Sequence, residues 1–321
     1  MYASDPAAVT RRAPLEAPRE NGAAERDALL AAVGRTPLLP LGRLVAAEGS
    51  RFELLAKAEF LNPSGSVKDR AALAMVETGL ADGRLGPGRT LIDASSGNTA
   101  VAYAMLGARL GFAVELVLPR NAHPERVARI RAYGAEIRFT DPGDGTDGAQ
   151  REARQRAAAA PDRYYFPDQY NHPANPLAHF RTTGPEIWAQ TDGRVTHFVA
   201  GVGTGGTISG TARFLKGQRP TVRVVAVEPT GPIHGLEGLK HLPTALLPST
   251  YDPSWIDETV RVETEAAEEV RGRLAREEGL SVGASAGAAV RAALDVGRRH
   301  PGAVVVTILP DGGHPPEREG P

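Results

Sequence analysis

Short apolar runs alternate with segments of helical period along the chain from about residue 52 onward. The apolar runs are nearly continuous, which is typical of strands that are covered on both faces of a parallel sheet. The predicted strands are Phe52–Phe60, Thr90–Ala94, Ala113–Leu118, Ala135–Thr140, Val195–Ala200, Val222–Val227 and Ala303–Leu309. The predicted helices are Ala71–Thr78, Thr99–Leu110, Pro124–Tyr133, Gly148–Ala160, Thr207–Lys216, Glu265–Glu278 and Ala286–Arg298.

This alternation occurs in two runs and therefore predicts two open α/β domains. Open α/β sheets bind ligands at the carboxyl ends of their strands, so we expect the functional site there, in the cleft between the domains. Residues 1–27 have no sustained apolar period and are rich in Ala, Pro, Arg and Glu, which predicts a disordered arm.

Composition narrows the function classes. The 321 residues are enough for two domains of about 150 residues each. Lys plus Arg (37) nearly cancels Asp plus Glu (38), which argues against a basic nucleic-acid surface. There is no cysteine, which excludes disulfides and thiolate chemistry. No apolar run reaches the roughly 18 residues of a membrane helix, and no signal peptide is evident. We expect a cytoplasmic protein without nucleic-acid or membrane partners.

Three loops join a predicted strand to a predicted helix, and the first carries a lysine. Residues 62–70 read NPSGSVKDR, which places Lys68 at a helix start. The helix dipole disfavours a cation there and tends to lower its pKa, which makes the amine a better nucleophile. A solvated lysine on a surface turn is the alternative.

The second loop, residues 93–100, reads DASSGNTA and could hold a carboxylate with hydroxyls and backbone N–H groups. Ordinary helix capping would use the same residue types. The third loop, residues 201–210, reads GVGTGGTISG and resembles a phosphate cradle. It also fits a dinucleotide motif through Gly201, Gly203 and Gly206, with Glu228 as the ribose acid, so a nicotinamide site stays open.

A fourth segment, residues 283–289, reads GASAGAA. Its small residues permit close packing, and Ser285 is suited to cap the helix that follows. The spacing lacks the G-x-S-x-G pattern of a hydrolase nucleophile, so acyl hydrolysis is disfavoured.

In this order, the four segments resemble the pyridoxal-phosphate (PLP) enzymes of the cysteine synthase and cystathionine β-synthase family, known as fold type II. The resemblance runs from GRTPL at residues 34–38 to Pro310, and includes residues 168–175 and 182–188. It implies two open, mostly parallel, three-layer α/β domains, like tryptophan synthase β, with PLP in the cleft. Residues 63–172 would form a smaller, mobile domain. Residues 28–62 and 173–321 would form a larger one that carries the phosphate loop.

The resemblance also implies a role for each site residue. Lys68 would be catalytic and would bind PLP as a Schiff base, Asn98 would bind its phenolic oxygen, and Ser285 its pyridine nitrogen. The phosphate loop would comprise Gly203, Thr204, Gly205, Gly206 and Thr207. The substrate-binding residues would be Ser95, Ser96, Gly97, Thr99 and Gln169. No metal is expected.

The reaction that the resemblance implies is β-replacement on an activated serine by a homodimeric transferase. O-acetylserine would lose acetate through an aminoacrylate intermediate, and sulfide or another thiol would add to give cysteine. Lys68 would move the Cα proton in both directions. A hydroxyl at Ser285 cannot hold the pyridine nitrogen protonated, which should favour elimination over racemisation. Three alternatives stay open: a cystathionine β-synthase-type or other β-substituted alanine synthase using serine or O-phosphoserine, a nicotinamide oxidoreductase, and a catalytically silent binding paralogue.

Three local features bear on the donor. Ala100 stands where cysteine synthases usually have glycine, and its added methyl group puts the donor preference in doubt. After Leu309 the chain reads PDGGHPP instead of the family's usual Arg-Tyr-Leu-Ser-type stretch. The 234–241 segment reads HGLEGLKH, whose inner glycines suit a hinged lid over the cleft. Lys240 or His241 is predicted to attract an anionic substrate.

Overall fold

The computed structural model describes residues 27–49, 51–95 and 97–313. The strands in these ranges are β1 (Leu38–Pro40), β2 (Glu53–Ala58), β3 (Thr90–Ala94), β4 (Ala113–Pro119), β5 (Glu136–Thr140), β6 (Tyr164–Tyr165), β7 (His197–Gly201), β8 (Arg223–Pro229), β9 (Glu258–Val262) and β10 (Val304–Leu309). The helices are α1 (Ala28–Ala31), α2 (Gly42–Ala47), α3 (Lys68–Ala81), α4 (Asn98–Leu110), α5 (Pro124–Ala132), α6 (Gly145–Ala159), α7 (Ala174–Arg181), α8 (Thr183–Gln190), α9 (Gly206–Gln218), α10 (Thr264–Glu278) and α11 (Ala284–Arg299).

The strands form two sheets. The larger has the order β1-β2-β10-β7-β8-β9, and all its pairs are parallel except β1 with β2. The smaller has the order β5-β4-β3-β6 and is entirely parallel. The predicted α/β class with mostly parallel sheets is therefore confirmed, whereas the domain boundaries at residues 63 and 173 stay a prediction.

Helices cover both faces of each sheet, which explains the continuous apolar strands. On β10, Val305 packs in a core with α10 and α11, whereas the next residue, Val306, packs in a second core with α8 and α9. On the smaller sheet, Leu91 packs with α3 and α4, and Ile92 packs with α6. Successive side chains of a strand point to opposite faces, so both must be apolar.

Every predicted helix and strand is present, with ends displaced by a turn or less, but several elements were not predicted. Helices α7 and α8 contain Pro176 and Pro185, which lie in their first turns, where proline is tolerated. Strand β9 lies at a sheet edge with alternating burial, and β6 has two residues. The predicted strand Phe52–Phe60 ends at Ala58, because residues Glu59–Leu61 form a 3₁₀ turn. The sequence also did not predict β1, α1 and α2, which are short elements of three, four and six residues.

The predicted arm of residues 1–27 lies outside the described residues apart from Asp27. Its carboxylate accepts a hydrogen bond from the Leu29 N–H at 2.9 Å and so caps α1. In the described part of the chain, no helix combines the length and the apolarity needed to cross a bilayer.

Candidate active site

An open cavity of about 300 Å³ lies where the strand ends of both sheets meet. Its lining includes Ala94 at the end of β3, Pro119 at the end of β4, Gly201 at the end of β7 and Pro310 just after β10. This cavity thus lies at the carboxyl ends of the strands, where the sequence leads us to expect the site.

Lys68 is the first residue of α3 and lines this cavity. Burial lowers the pKa of its ammonium group, and the negative charge of Asp311 partly opposes this shift. The loop before it is held by Asp69, whose carboxylate accepts a 2.6 Å hydrogen bond from the Ser64 N–H. The Ser66 hydroxyl accepts a hydrogen bond from the Lys68 N–H at 3.2 Å. Lys68 therefore lies in a cavity wall and not on a surface turn, and burial lowers the pKa of its ammonium group.

The loop before α4 presents polar groups to the same cavity. The Thr99 hydroxyl donates to Gln169 Oε1 at 2.8 Å, and the Gly97 N–H donates to the Ser95 hydroxyl at 3.3 Å. All four residues line the cavity, whereas Ser96 lies outside the described residues. Gly97, the N-cap residue of α4, has no side chain with which to cap the helix. The first-turn N–H groups can therefore bind an anion.

Asn98 and Ser285 complete this wall. The Asn98 side-chain amide donates a 2.6 Å hydrogen bond to Asp311 Oδ2, and Ser285 lies in the first turn of α11. Burial raises the pKa of Asp311, while the Asn98 bond and the Lys68 charge oppose the rise. Lys68, Asn98, Ser285 and Asp311 all line the cavity, so residues from three predicted motifs meet there.

The glycine-rich loop leads from β7 into α9. Its N-cap residue Gly205 has φ +84°, a conformation that favours glycine. A Cβ on Gly206 would lie 2.0 Å from Asn175 Oδ1, and a Cβ on Gly203 would lie 2.3 Å from the Gly238 carbonyl oxygen. Four residues of the predicted phosphate loop line the cavity, namely Gly203, Thr204, Gly205 and Thr207. Gly206 is not among the lining residues. The packing thus requires glycine and leaves a helix N-terminus open to an anion.

Two buried side chains that the motifs did not single out hold the threonines of this loop. The Asn175 amide donates to Thr204 Oγ1 at 3.0 Å, and His179 Nε2 lies 3.2 Å from Thr207 Oγ1. Burial, with the charge of Arg70, lowers the pKa of His179 to about 3, so its imidazole is neutral. Asn175 belongs to a segment that carries the family resemblance, but the sequence offered no local signal for His179.

Charged residues line the mouth of the cavity. Arg126 on α5 holds the Glu237 carboxylate with both terminal nitrogens, one at 2.9 Å, and Lys240 Nζ lies 4.8 Å from the centre of the Tyr170 ring. No sequence signal indicated Arg126 or its pairing with Glu237. Of the two cations predicted to attract an anion, Lys240 lines the cavity, whereas His241 bonds Thr244 and is not among the lining residues.

The structure weighs against two alternatives and locates Ala100. Glu228 is buried, bonds Arg261 and the Leu242 N–H, and does not line the cavity, so the nicotinamide interpretation lacks its ribose acid. No histidine lines the described cavity, which leaves Ser285 without a triad base. Ala100 lies on α4 and is fully buried in the apolar core, so its methyl group does not line the cavity, and its effect on donor preference stays a prediction.

These residues fit PLP. The cofactor needs an amine to carry its aldehyde and an anion cradle for its phosphate. Burial lowers the pKa of Lys68, and the Gly203–Thr207 loop leads into a helix start, with no room for a Cβ at Gly203, Gly205 or Gly206.

Comparison with known proteins gives a consistent result. Residues 29–311 match the family model described as "Pyridoxal-phosphate dependent enzyme". The chain is 46% identical over 293 residues to cysteine synthase of Aquifex aeolicus, covering 90% of each chain. It is 43% identical over 281 residues to cysteine synthase B of Salmonella typhimurium, covering 88% of this chain and 91% of the relative. A cysteine synthase structure from Entamoeba histolytica superposes with a TM-score of 0.85 at 31% identity, covering 94% and 91% of the two chains.

Proposed function

This chain belongs to the family of pyridoxal-phosphate-dependent enzymes, and from that premise we propose that it forms cysteine from O-acetylserine and sulfide. It replaces the substituent on the donor's Cβ, and PLP is its cofactor. The observation that carries the proposal is the meeting of the Lys68 amine with the glycine-lined start of α9 in one cavity. The nicotinamide alternative is not supported, because the matched family uses a different cofactor.

Each wall of the cavity has a proposed task. Lys68 would carry the cofactor, the Gly203–Thr207 loop would bind its phosphate, Asn98 its phenolic oxygen and Ser285 its ring nitrogen. Ser95, Ser96, Gly97, Thr99 and Gln169 would hold the carboxylate of the amino acid. The paired Thr99 and Gln169 side chains and the uncapped start of α4 support this assignment, because they offer donors for an anion.

When bound, PLP supplies an electron sink for the bond that breaks at Cα. The chain supplies the proton transfers. A Lys68 amine whose pKa burial has lowered is suited to take the Cα proton at neutral pH and to return it after sulfide has added to Cβ. Asp311 lies close enough to interact with this amine through charge, and so moderates the shift. Acetate leaves Cβ before sulfide adds, so a ping-pong kinetic pattern is expected.

Borohydride reduction of the holoenzyme tests the assignment of Lys68. The reduced cofactor should be found by peptide mass spectrometry on the peptide that contains Lys68. Lys57 is the internal control, because burial also lowers its pKa but its ammonium group pairs with Glu186 at 2.6 Å. A label on Lys57, or no label, would contradict the proposal. Lys68→Ala should lower kcat for cysteine formation by about 10²-fold or more.

The donor is tested with sulfide and, in parallel, O-acetylserine, serine and O-phosphoserine. O-acetylserine should give the highest kcat/KM, and a higher value for serine would favour the cystathionine β-synthase-type alternative. A homodimer is also proposed, from the family resemblance, and a cytoplasmic location, from the lack of a signal or membrane segment in the sequence. Light scattering that gives the mass of one chain, 33.8 kDa, would refute the dimer.

A further inference from the structure

The ion pair at the mouth of the cavity joins a buried cation to an exposed anion. Arg126 is 5% exposed, whereas the Glu237 side chain is 64% exposed and belongs to the 234–241 segment. Both terminal guanidinium nitrogens hold the Glu237 carboxylate. The remaining nitrogen, Arg126 Nε, is buried and has no hydrogen-bond partner in the described part of the chain. The two terminal nitrogens of Arg126 thus form a planar pair of donors that can bind an oxyanion, and a carboxylate of the protein itself occupies this pair.

Other charges around Arg126 do not replace that carboxylate. Glu125 and Asp311 interact with Arg126 through charge, whereas the Glu237 carboxylate is hydrogen-bonded to it. The Asp311 carboxylate is engaged by the Asn98 amide at 2.6 Å. A second cation, Lys240, lines the same cavity three residues beyond Glu237. Without Glu237, the mouth of the cavity would therefore carry two cations, Arg126 and Lys240, and the terminal nitrogens of Arg126 would lack the carboxylate that they now bind.

The physical consequence concerns oxyanions. A buried guanidinium group without a counter-ion is strongly unfavourable, and its planar fork matches carboxylate and phosphate oxygens. The Glu237 carboxylate neutralises the charge of the Arg126 guanidinium group, and its own negative charge repels a second anion from the same place. Removal of the Glu237 charge leaves a site that a phosphate group can fill.

We propose that Arg126 is a latent oxyanion-binding residue of the donor pocket, and that Glu237, by occupying it, is a specificity-determining residue against donors with an anionic substituent. This inference rests on the proposed function, because it concerns which serine ester is used. Glu237 favours the uncharged acetyl ester, and its neutral replacement admits the phosphate ester.

The donor test compares the wild-type holoenzyme with Glu237→Gln and with the control Glu53→Gln. Glu53 also holds an arginine with both oxygens, Arg194 at 2.6 and 3.3 Å, but at the opposite end of β2 from the cavity. The ratio of kcat/KM for O-phosphoserine to that for O-acetylserine should rise about tenfold or more in Glu237→Gln. The ratio in Glu53→Gln should equal that of the wild type.

A binding measurement makes the inference independent of turnover. Calorimetric titration of the holoenzymes with inorganic phosphate should show about tenfold tighter binding in Glu237→Gln than in the wild type. Combining Arg126→Lys with Glu237→Gln should abolish the gain in phosphate affinity, because a lysine ammonium group lacks the planar pair of donors of a guanidinium group. Glu237→Ala serves if the glutamine variant folds poorly. Unchanged phosphate affinity and donor ratio in the Glu237 variants would overturn the inference. A wild type that uses neither donor would instead refute the proposed function, and the titration would still test Arg126.

Discussion

Asp93 shows how burial alters a single residue next to the site. It lies on β3, two residues before Ser95, and is 3% exposed. Burial raises the pKa of its carboxyl group to about 7, although the 2.7 Å hydrogen bond from the Ala94 N–H acts in the opposite direction. In the unfolded chain the carboxyl group has its ordinary pKa near 3.8.

We expect the free energy of unfolding to depend on pH through Asp93. Between pH 3.8 and about 7 the folded protein holds a proton that the unfolded chain has lost, so this contribution to stability falls as the pH rises. Asp93→Asn mimics the protonated form and should remove the fall. Between about pH 5 and about pH 8, urea unfolding should show a loss about 2 kcal/mol larger in the wild type than in the variant.

The control is Asp82→Asn, which alters an exposed carboxylate that pairs with Arg84. It should keep the pH dependence of the wild type. Equal pH dependence in the wild type and Asp93→Asn would show that Asp93 does not carry the buried proton.

At the residue scale, the sequence predicts the role of a residue where its neighbours along the chain define its chemistry. Lys68 was found because a turn and a helix start surround it. The pairing of Arg126 with Glu237 is not predicted, because the two residues are 111 positions apart, although Glu237 lies in the 234–241 segment.

Among the elements, several helices begin at the cavity, and α9 depends on its glycines most strictly. Gly206→Ala would drive a methyl group to 2.0 Å from Asn175 Oδ1, and Asn175 holds Thr204. We expect lost cofactor affinity on reconstitution, measured by absorbance, and a stability loss of about 1–3 kcal/mol.

The matched control lies in the same helix. Gly217 has no atom within 4 Å of an added Cβ, so Gly217→Ala should retain cofactor and gain up to about 1 kcal/mol. Equal cofactor affinity in the two variants would show that α9 does not bind the phosphate.

Helices and strands with a clear period of apolar residues are predicted well from the sequence, whereas elements that depend on tertiary contacts are not. Helix α10 has a clear apolar stripe, Ala267, Val270 and Leu274, and its predicted start differs by one residue. Helix α8 begins Thr-Gly-Pro, which local propensity reads as a turn, yet Ile187 and Gly184 pack closely against the larger sheet and α9. Tertiary packing therefore overrides local preference there.

For the whole molecule, a buried cluster of four charges ties distant segments together. Arg70 on α3 bonds Glu59 at 2.7 Å and Glu186 on α8 at 2.7 Å, and Lys57 on β2 bonds Glu186 at 2.6 Å. Against the effect of burial, the charge of Arg70 and its hydrogen bonds lower the pKa of Glu59 to about 2. The cluster thus keeps its carboxylates ionised at neutral pH.

Arg70→Met should cost about 3–5 kcal/mol in urea unfolding, because it leaves buried carboxylates without their main partner. Arg138→Met is the control, since it removes an exposed pair with Glu152 that is worth less than about 1 kcal/mol. Similar losses in the two variants would contradict a stabilising role for the cluster.

The position of β10 has a consequence for how the enzyme is made. This strand lies between β2 and β7, yet it is the last strand of the described chain. The Pro310 carbonyl that follows it accepts a 2.8 Å hydrogen bond from the Val67 N–H, next to Lys68. A ribosome must therefore translate past β10 before the Lys68 amine gains these surroundings. Prematurely terminated chains that lack this strand should not assemble the cavity around Lys68 and should not bind the cofactor specifically.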